Sequence, residues 1–134
     1  MTRWTLALIL GLASAAAGCV GACDLLSDYS SKNLGNGYCL ELELETKIYR
    51  LRDCSNPMDR SGGVFDGALE RIGWNSRVVV GWRTSDEGVP GWMSLDLSSK
   101  KVSGPVSEAE MLRLIANDDR FRGLVLQKAS DVLR

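Results

Sequence analysis

The sequence predicts an α+β fold, in which an antiparallel β-meander of about five to six strands is followed by one or two C-terminal helices. Alternation of apolar and polar residues begins at residue 38 and returns in several later segments, which is the pattern of half-buried strands. A helix-start signal and apolar residues at helical spacing follow residue 105. Because strands precede helices in a chain of 134 residues, we expect a single α+β domain over residues 38–134.

The stretch YCLELELE, residues 38–45, has the clearest strand pattern. Its leucines alternate with glutamates, so one face is apolar and the other is charged. Residues 48–52 can return antiparallel through a two-residue loop at Thr46-Lys47, in a register that places Glu41 opposite Arg52. Opposite charges across strands favour this register. A slip of two residues would also keep both faces, and a longer, bulged loop is an alternative because Thr-Lys suits a two-residue turn poorly.

Two cysteines, Cys39 and Cys54, face each other in this register, and we predict a disulfide between them. A slip of two residues would separate them. Export from the cytoplasm makes their oxidation chemically available. Closing a loop of this size contributes about 3 kcal/mol in a chain-entropy model. Two free thiols, or a bond from one of these cysteines to Cys23, are the alternatives.

Turn-forming residues divide the rest of the chain into loops and further strands. Residues 24–37 and 54–63 are rich in Ser, Asn and Gly without periodicity, so we expect a tether with a loop in the first and a loop in the second. Val64-Phe65 is expected to begin a short strand. We then expect a hairpin of Leu69–Trp74 with Arg77–Arg83, and a strand over Trp92–Leu97 whose apolar face consists of Met93, Leu95 and Leu97.

The C-terminal part of the chain has helical patterns. Ser107 and Glu110 have the spacing of a capping box, which predicts the start of a helix. Residues 117–119, Asn-Asp-Asp, interrupt the helical pattern, and a second helix is expected over about residues 124–133. The apolar stripe of the first helix is expected to consist of Met111, Leu112, Leu114 and Ile115.

The first 18 residues have the order of a secretory signal peptide. Arg3 precedes an apolar run over residues 4–12, and small residues follow up to Gly18. Ala16-Ala17-Gly18-Cys19 looks like a bacterial lipobox, although Ala16 stands where Leu is usual. The pattern predicts that Cys19 becomes a lipidated mature N-terminus, followed by a lipid-anchored tether and loop over residues 19–37, with the membrane reached through the lipid.

Three other interpretations of the N-terminus remain open. Cys23 follows small residues in the same loose pattern, and its lipidation would leave an even number of cysteines. Plain secretion is the second alternative, because Ala15-Ala16-Ala17 is also an A-x-A cleavage site. A retained membrane anchor is the third, although the strongly apolar run is shorter than the ~20 residues that a spanning helix needs.

Three segments resemble a family of small, functionally uncharacterised bacterial lipoproteins. They are LGNGY, IGWNSRVVVGW and GWMSLDLSSKKVSGPVSEAEM, and the resemblance extends over about residues 24–116. The resemblance implies a lipoprotein with an α+β domain. It supplies neither an activity nor catalytic residues, and the extension after Asn117 departs from the family's pattern.

Few residues in the chain are suited to catalysis. The chain contains no histidine, which excludes serine–histidine and cysteine–histidine catalytic systems and histidine-containing zinc sites. No segment has the spacing of a C-x-x-C site or a phosphate-binding loop, and a net charge of −1 gives no electrostatic footprint for nucleic acid. We therefore expect no cofactor, metal or enzymatic activity. Asp66 and Glu70 flank a glycine-containing turn and are the one carboxylate pair that could support acid–base chemistry.

The dipeptide Gly-Trp occurs three times and raises the question of an aromatic binding surface. Exposed aromatic residues suit contacts with glycans or protein partners. Trp82 shares a strand face with Val78 and Val80, which favours core packing. Trp74 lies at a turn, and Trp92 lies on the face of its strand opposite the apolar residues. We therefore expect Trp74 and Trp92 to be exposed and to form a partner-binding surface.

These patterns together predict a non-enzymatic, lipid-anchored protein of the bacterial cell envelope, facing the periplasm or the cell exterior. Its expected partner is another envelope component, either a protein or a glycan, and not a nucleic acid. An inhibitor or immunity protein against an envelope-acting toxin or hydrolase is one alternative. A cell-wall hydrolase that uses Asp66 and Glu70 is the other.

Overall fold

A computed structural model describes residues 29–56, 62–84 and 88–133, and it confirms the α+β class. All strand pairs are antiparallel. Three strands form a first sheet in the order β1 (Tyr29–Gly35), β2 (Tyr38–Glu43), β3 (Ile48–Asp53). A second sheet has the spatial order β7-β6-β5-β4-β8, with β4 (Leu69–Trp74), β5 (Val78–Arg83), β6 (Gly91–Asp96), β7 (Val102–Val106) and β8 (Gln127–Lys128). The helical elements are α1 (Glu108–Asn117), a 3₁₀ turn (Asp119–Phe121) and α2 (Ala129–Val132).

The second sheet is the middle layer, and it is buried on both faces. One face packs against the first sheet, with Leu40 and Leu51 meeting Val79, Met93 and other core residues. The opposite face packs against α1 and the 3₁₀ turn. There, Val78, Val80 and Trp92 lie together with Met111, Phe121 and Leu124. The strand faces predicted for residues 78–82 and 93–97 are therefore confirmed, because each lies against a different neighbouring layer.

Strand β1 replaces the expected loop over residues 29–35, so that part of the loop prediction is wrong. Its pairing with β2 begins at a two-residue turn, Asn36-Gly37, where both residues have positive φ (55° and 84°). Asn-Gly is the strongest short signal for such a hairpin turn, because both positions tolerate positive φ. Leu34 is the buried apolar residue of β1. Hydrogen bonding to β2 therefore outweighs the weak strand propensity of Ser, Asn and Lys.

The β2–β3 hairpin forms as predicted, but its register differs by two residues. Glu41 lies opposite Arg50, and Cys39 lies opposite Arg52. The connection spans residues 44–47, with Lys47 at a positive φ of 60°, so a longer turn replaces the expected loop at Thr46-Lys47. The expected Glu41–Arg52 pair survives as a diagonal contact, with Arg52 Nε 3.5 Å from Glu41 Oε2, and Arg50 Nε lies 3.0 Å from Glu43 Oε1. Charge pairing alone therefore does not fix the register.

The short strand expected at Val64-Phe65 is also wrong, because residues 63–66 form a turn. Gly63 makes this turn possible. It has a φ of +90°, and the backbone passes so close to Leu51 that an added Cβ would lie 2.6 Å from the Leu51 carbonyl oxygen. The amide of Val64 donates to the same carbonyl at 2.8 Å. Phe65 is consequently held in the core between the sheets.

Helix α1 begins and ends where the sequence predicts. The Ser107 hydroxyl accepts a hydrogen bond from the amide of Glu110 at 3.2 Å, which satisfies one of the free donors of the first turn. The helix ends at Asn117, at the expected interruption. Met111 is fully buried, whereas Leu112 is 52% exposed, so including Leu112 in the buried stripe was wrong. No helix in the described residues is long and apolar enough to cross a membrane.

The long second helix expected over residues 124–133 is wrong. The chain instead pairs Gln127 and Lys128 with β4 and then makes the single helical turn α2. Gly73 in β4 allows this approach, because a Cβ there would lie 3.0 Å from the Val125 carbonyl oxygen. Main-chain pairing with an open strand edge therefore replaces most of the helix that the apolar spacing suggested.

Candidate functional site

The predicted lipidation site lies outside the described residues. Cys19, its alternative Cys23 and the signal peptide over residues 1–18 all belong to the first 28 residues. Their roles remain predictions from the sequence.

The disulfide between Cys39 and Cys54 is confirmed. The two Cα atoms are 5.8 Å apart, and the bond closes a sequence separation of 15 residues. Cys54 lies just beyond the end of β3, and its amide donates to the Gly37 carbonyl at 2.7 Å. The bond therefore joins the start of β2 to the end of β3 despite the shifted register.

The expected tryptophan surface is not present. Trp92 is 0% exposed, and Trp74 is half-buried against the core between the sheets, so the expectation that both are exposed is wrong. The alternation in β6 places Trp92 on the face opposite Met93 and Leu95, which the sequence pattern predicted to be open to solvent. Trp92 is buried because α1 covers this face of the second sheet. Trp82 is half-buried beside it, with ring centroids 5.8 Å apart in an edge-to-face arrangement, as its predicted core role requires.

A polar network fixes the position of Trp92 from one side. The indole Nε1–H donates to Glu108 Oε2 at 2.8 Å. Arg71 donates to both oxygens of the same carboxylate at 3.1 Å, and its guanidinium lies 5.0 Å from the Trp92 ring centroid. The indole bond, with the Arg71 contacts, lowers the pKa of Glu108 below its ordinary value. All three groups are engaged with one another, which makes this network structural.

The remaining sequence candidates, Asp66 and Glu70, are exposed. Asp66 lies in the turn after β3, and Glu70 lies on β4, and both side chains are exposed to solvent. Within the described residues, no group of three or more Cys, Asp or Glu side chains is placed to hold a metal ion.

A cleft of about 270 Å³ lies between the second sheet and the C-terminal end of α1. Small residues create it, because Ser94 and Ser103 face each other across β6 and β7, and Gly104 follows without a side chain. Its apolar walls come from Val78, Val106, Leu114 and Phe121. The helix covers the large residues of this sheet face and leaves the corner with small residues open.

An Asp96–Arg120 ion pair closes one end of the cleft. Asp96 Oδ1 accepts hydrogen bonds from the Ser98 amide (2.9 Å), the Ser98 hydroxyl (2.6 Å) and the Ser99 amide (3.1 Å). Arg120 Nη1 donates to Asp96 Oδ2 at 3.1 Å, and Arg120 Nη2 donates to Asp118 at 3.0 Å. One guanidinium therefore contacts two carboxylates at this end, and Arg120 joins the segment after α1 to the β6–β7 turn.

Three donors in the cleft are free to bind a ligand. Over residues 29–56, 62–84 and 88–133, the hydroxyls of Ser94 and Ser103 and the ammonium of Lys101 have no hydrogen-bond or ion-pair partner. Lys101 lies opposite Asp96 in the hairpin, where its carbonyl accepts from the Asp96 amide at 2.9 Å. The cleft therefore combines an apolar wall with hydroxyl donors and one ammonium that has no ion-pair partner in the described residues.

We expect the stability of the protein to fall in acid and to be flat near neutrality. The Ser98 hydroxyl bond, together with the Ser99 amide and Arg120, holds the pKa of Asp96 well below its usual range, and bonds from Arg120 lower the pKa of Asp118. A carboxyl with a lowered folded-state pKa stabilises the fold above its unfolded pKa of about 4, and this contribution is lost as the pH falls further. Because the chain has no histidine, no side chain with an ordinary pKa titrates between pH 5 and 8.

Thermal unfolding measured from pH 2.5 to 8 checks this expectation. The Tm should be constant above pH 5 and fall below about pH 4. Asp96→Asn should make the acid fall smaller, whereas Glu70→Gln, at an exposed carboxyl of β4, is the matched control. A Tm that rises on acidification would contradict the assignment.

Gly104 is expected to be intolerant of substitution. Its φ is +105°, and an added Cβ would lie 2.5 Å from the Trp92 carbonyl oxygen. We expect Gly104→Ala to lower the free energy of unfolding by about 2 kcal/mol or more, through both backbone strain and the clash. Gly123→Ala separates these two causes. Gly123 also has a positive φ (+78°) but nothing within 4 Å of the added atom, so about 1 kcal/mol is expected. If urea denaturation shows the same loss of unfolding free energy for both variants, the clash with the Trp92 carbonyl oxygen does not contribute to the cost of Gly104→Ala.

Sequence patterns do not reveal the cleft. Ser94 and Ser103 are ordinary strand residues, and their pairing depends on a register shift between β6 and β7. Lys101 lies after the turn at residues 97–99 and has no distinguishing sequence pattern. No protein-family model, curated protein or solved structure matches this chain.

Proposed function

We propose that the protein is a lipid-anchored bacterial envelope protein that binds another envelope component without transforming it chemically. The observation that supports binding is the preformed cleft, in which Lys101 and two serine hydroxyls are free beside an apolar wall. Pockets that combine an apolar lining with a few well-placed polar groups are typical binding sites. The anchor is proposed from the order of charge, apolar run and small residues before Cys19.

A comparative capture experiment tests the binding role. The tagged full chain and its Ser103→Ile variant are each mixed with detergent-solubilised envelopes, and the retained components are compared. Isoleucine suits an exposed β-strand and fills the cleft between the two serines. We expect a component that the original chain retains and the variant does not. If nothing exceeds background, or if both chains retain the same components, the proposal fails. A toxin or hydrolase among the specific components would make the function inhibitory.

The anchor has a separate test. Intact-mass measurement of the protein isolated from membranes, with N-terminal peptide mapping, should show an acylated Cys19 as the first residue. Acylation of Cys23 would move the anchor and leave only Cys39 and Cys54 as unmodified cysteines. An unmodified N-terminus after Ala17 would overturn the lipid anchor and leave a secreted protein.

A further inference from the structure

We propose that the cleft between β6, β7 and α1 binds the carboxyl-terminal residue of a partner polypeptide, with its carboxylate at Lys101 and its apolar side chain against Leu114 and Phe121. This inference rests on the proposed binding function and adds the chemical class of the ligand.

The charges of the cleft favour an anion. Among the lining side chains, the charges of Asp96 and Arg120 offset each other; Arg120 also contacts Asp118, which does not line the cleft. Lys101 is then the one lining cation without a partner among the described residues. The hydroxyls of Ser94 and Ser103 lie on the same sheet face and can donate to the second carboxylate oxygen. A carboxylate satisfies all three donors, because ionised acceptors form the stronger hydrogen bonds.

The size and shape of the cleft favour the end of a chain. Its volume of about 270 Å³ is at the lower limit of the range of sites that enclose whole small molecules, roughly 300–1,000 Å³. One residue with a compact apolar side chain fits this space while the preceding chain leaves through the open side. A glycan is disfavoured, because sugars commonly stack on exposed aromatic faces, and Phe121 and Trp92 present none.

A titration with small probes tests the inference on the full chain in detergent micelles. N-acetyl-leucine represents a peptide end, and its binding is followed by the amide signals of isotope-labelled protein. We expect shifts at the residues lining the cleft with a Kd on the order of millimolar, as suits a ligand of about a dozen heavy atoms. N-acetyl-leucinamide lacks the negative charge and should bind at least about fivefold more weakly. Equal binding of the amide, or shifts only outside the cleft, would overturn the inference.

Two further probes separate the sources of the ligand. Free leucine carries an ammonium that finds no free carboxylate in the cleft, because the Asp96 carboxylate is already engaged. Tighter binding of free leucine than of N-acetyl-leucine would identify a site for a free amino acid and overturn the peptide proposal. N-acetylglucosamine should leave the cleft signals unchanged, and its binding there in place of N-acetyl-leucine would identify a glycan site.

Matched variants test the roles of the residues. Lys101→Gln should weaken N-acetyl-leucine on the order of fivefold, whereas Lys100→Gln, at the adjacent exposed lysine outside the cleft, should leave it unchanged. Ser103→Ile should abolish binding, because the isoleucine side chain fills the cleft. If N-acetyl-leucine were only attracted to the charge of Lys101 at the surface, Ser103→Ile would leave its binding unchanged. Equal affinities for all three variants would overturn the inference.

The two proposals fail in different ways. An envelope component that is captured by the original chain and lost in Ser103→Ile, without binding of N-acetyl-leucine, would keep the binding function and reject the peptide end. Binding of N-acetyl-leucine with no captured component would support the site chemistry and reject an envelope partner.

Discussion

Replacing Trp92 with alanine is expected to lower the free energy of unfolding by about 3–5 kcal/mol, the cost of emptying a fully buried aromatic site. Trp92 lies at the centre of the core between the second sheet and α1. Its loss would also remove the edge-to-face contact with Trp82 and the indole bond to Glu108. Urea denaturation followed by fluorescence of the remaining tryptophans measures the change.

Two further variants show whether the loss of stability comes from the lost side-chain volume and from the buried position of Trp92. Trp92→Phe keeps much of the volume and loses the indole N–H, so it should cost less than the alanine variant. Leu112→Ala removes an exposed side chain from α1 and should change the stability by about 0.5 kcal/mol or less. A Trp92→Ala variant as stable as Leu112→Ala would contradict the buried position of the indole.

Removal of the disulfide is expected to have the second-largest effect. The double variant Cys39→Ala/Cys54→Ala should lose about 3 kcal/mol, because a cross-link over 15 residues restricts the unfolded chain. Urea denaturation under oxidising conditions measures this difference. Reducing agent should bring the original protein to the stability of the double variant and leave the variant unchanged.

Cys23, which lies outside the disulfide, provides the control. Cys23→Ala should keep the stability of the original protein, since Cys39 and Cys54 are bonded to each other. If Cys23→Ala instead reproduced the loss, the assigned pairing would be wrong.

Local sequence patterns predict those elements of the fold whose structure depends mainly on one local interaction. Alternation placed β2, and the serine cap placed the first turn of α1, because side-chain burial and a single cap determine each of them. Strand β1 was missed although Asn36-Gly37 carries a recognised hairpin signal. Its polar composition hid a strand that is stabilised mainly by main-chain pairing with β2.

Other features depend on contacts that local patterns do not contain. The β2–β3 register follows from a four-residue turn with Lys47 at positive φ, and the diagonal ion pairs of Arg50 and Arg52 are compatible with more than one register. The burial of Trp92 requires a helix packed on the second face of the sheet. The cleft depends on where that helix ends and on a shift in pairing between β6 and β7. Each is a property of elements that are distant in the chain.

The pairing of β8 with β4 also has a consequence for the order of events during synthesis. Arg71 and Ile72 pair with Lys128 and Gln127, which the ribosome adds after all the other strands of this sheet in the described residues. Until those residues emerge, the outer edge of β4 is open, and an open strand edge can pair with other chains. The second sheet is therefore completed only after residues 127 and 128 have been made, and the nascent polypeptide has an open strand edge until then.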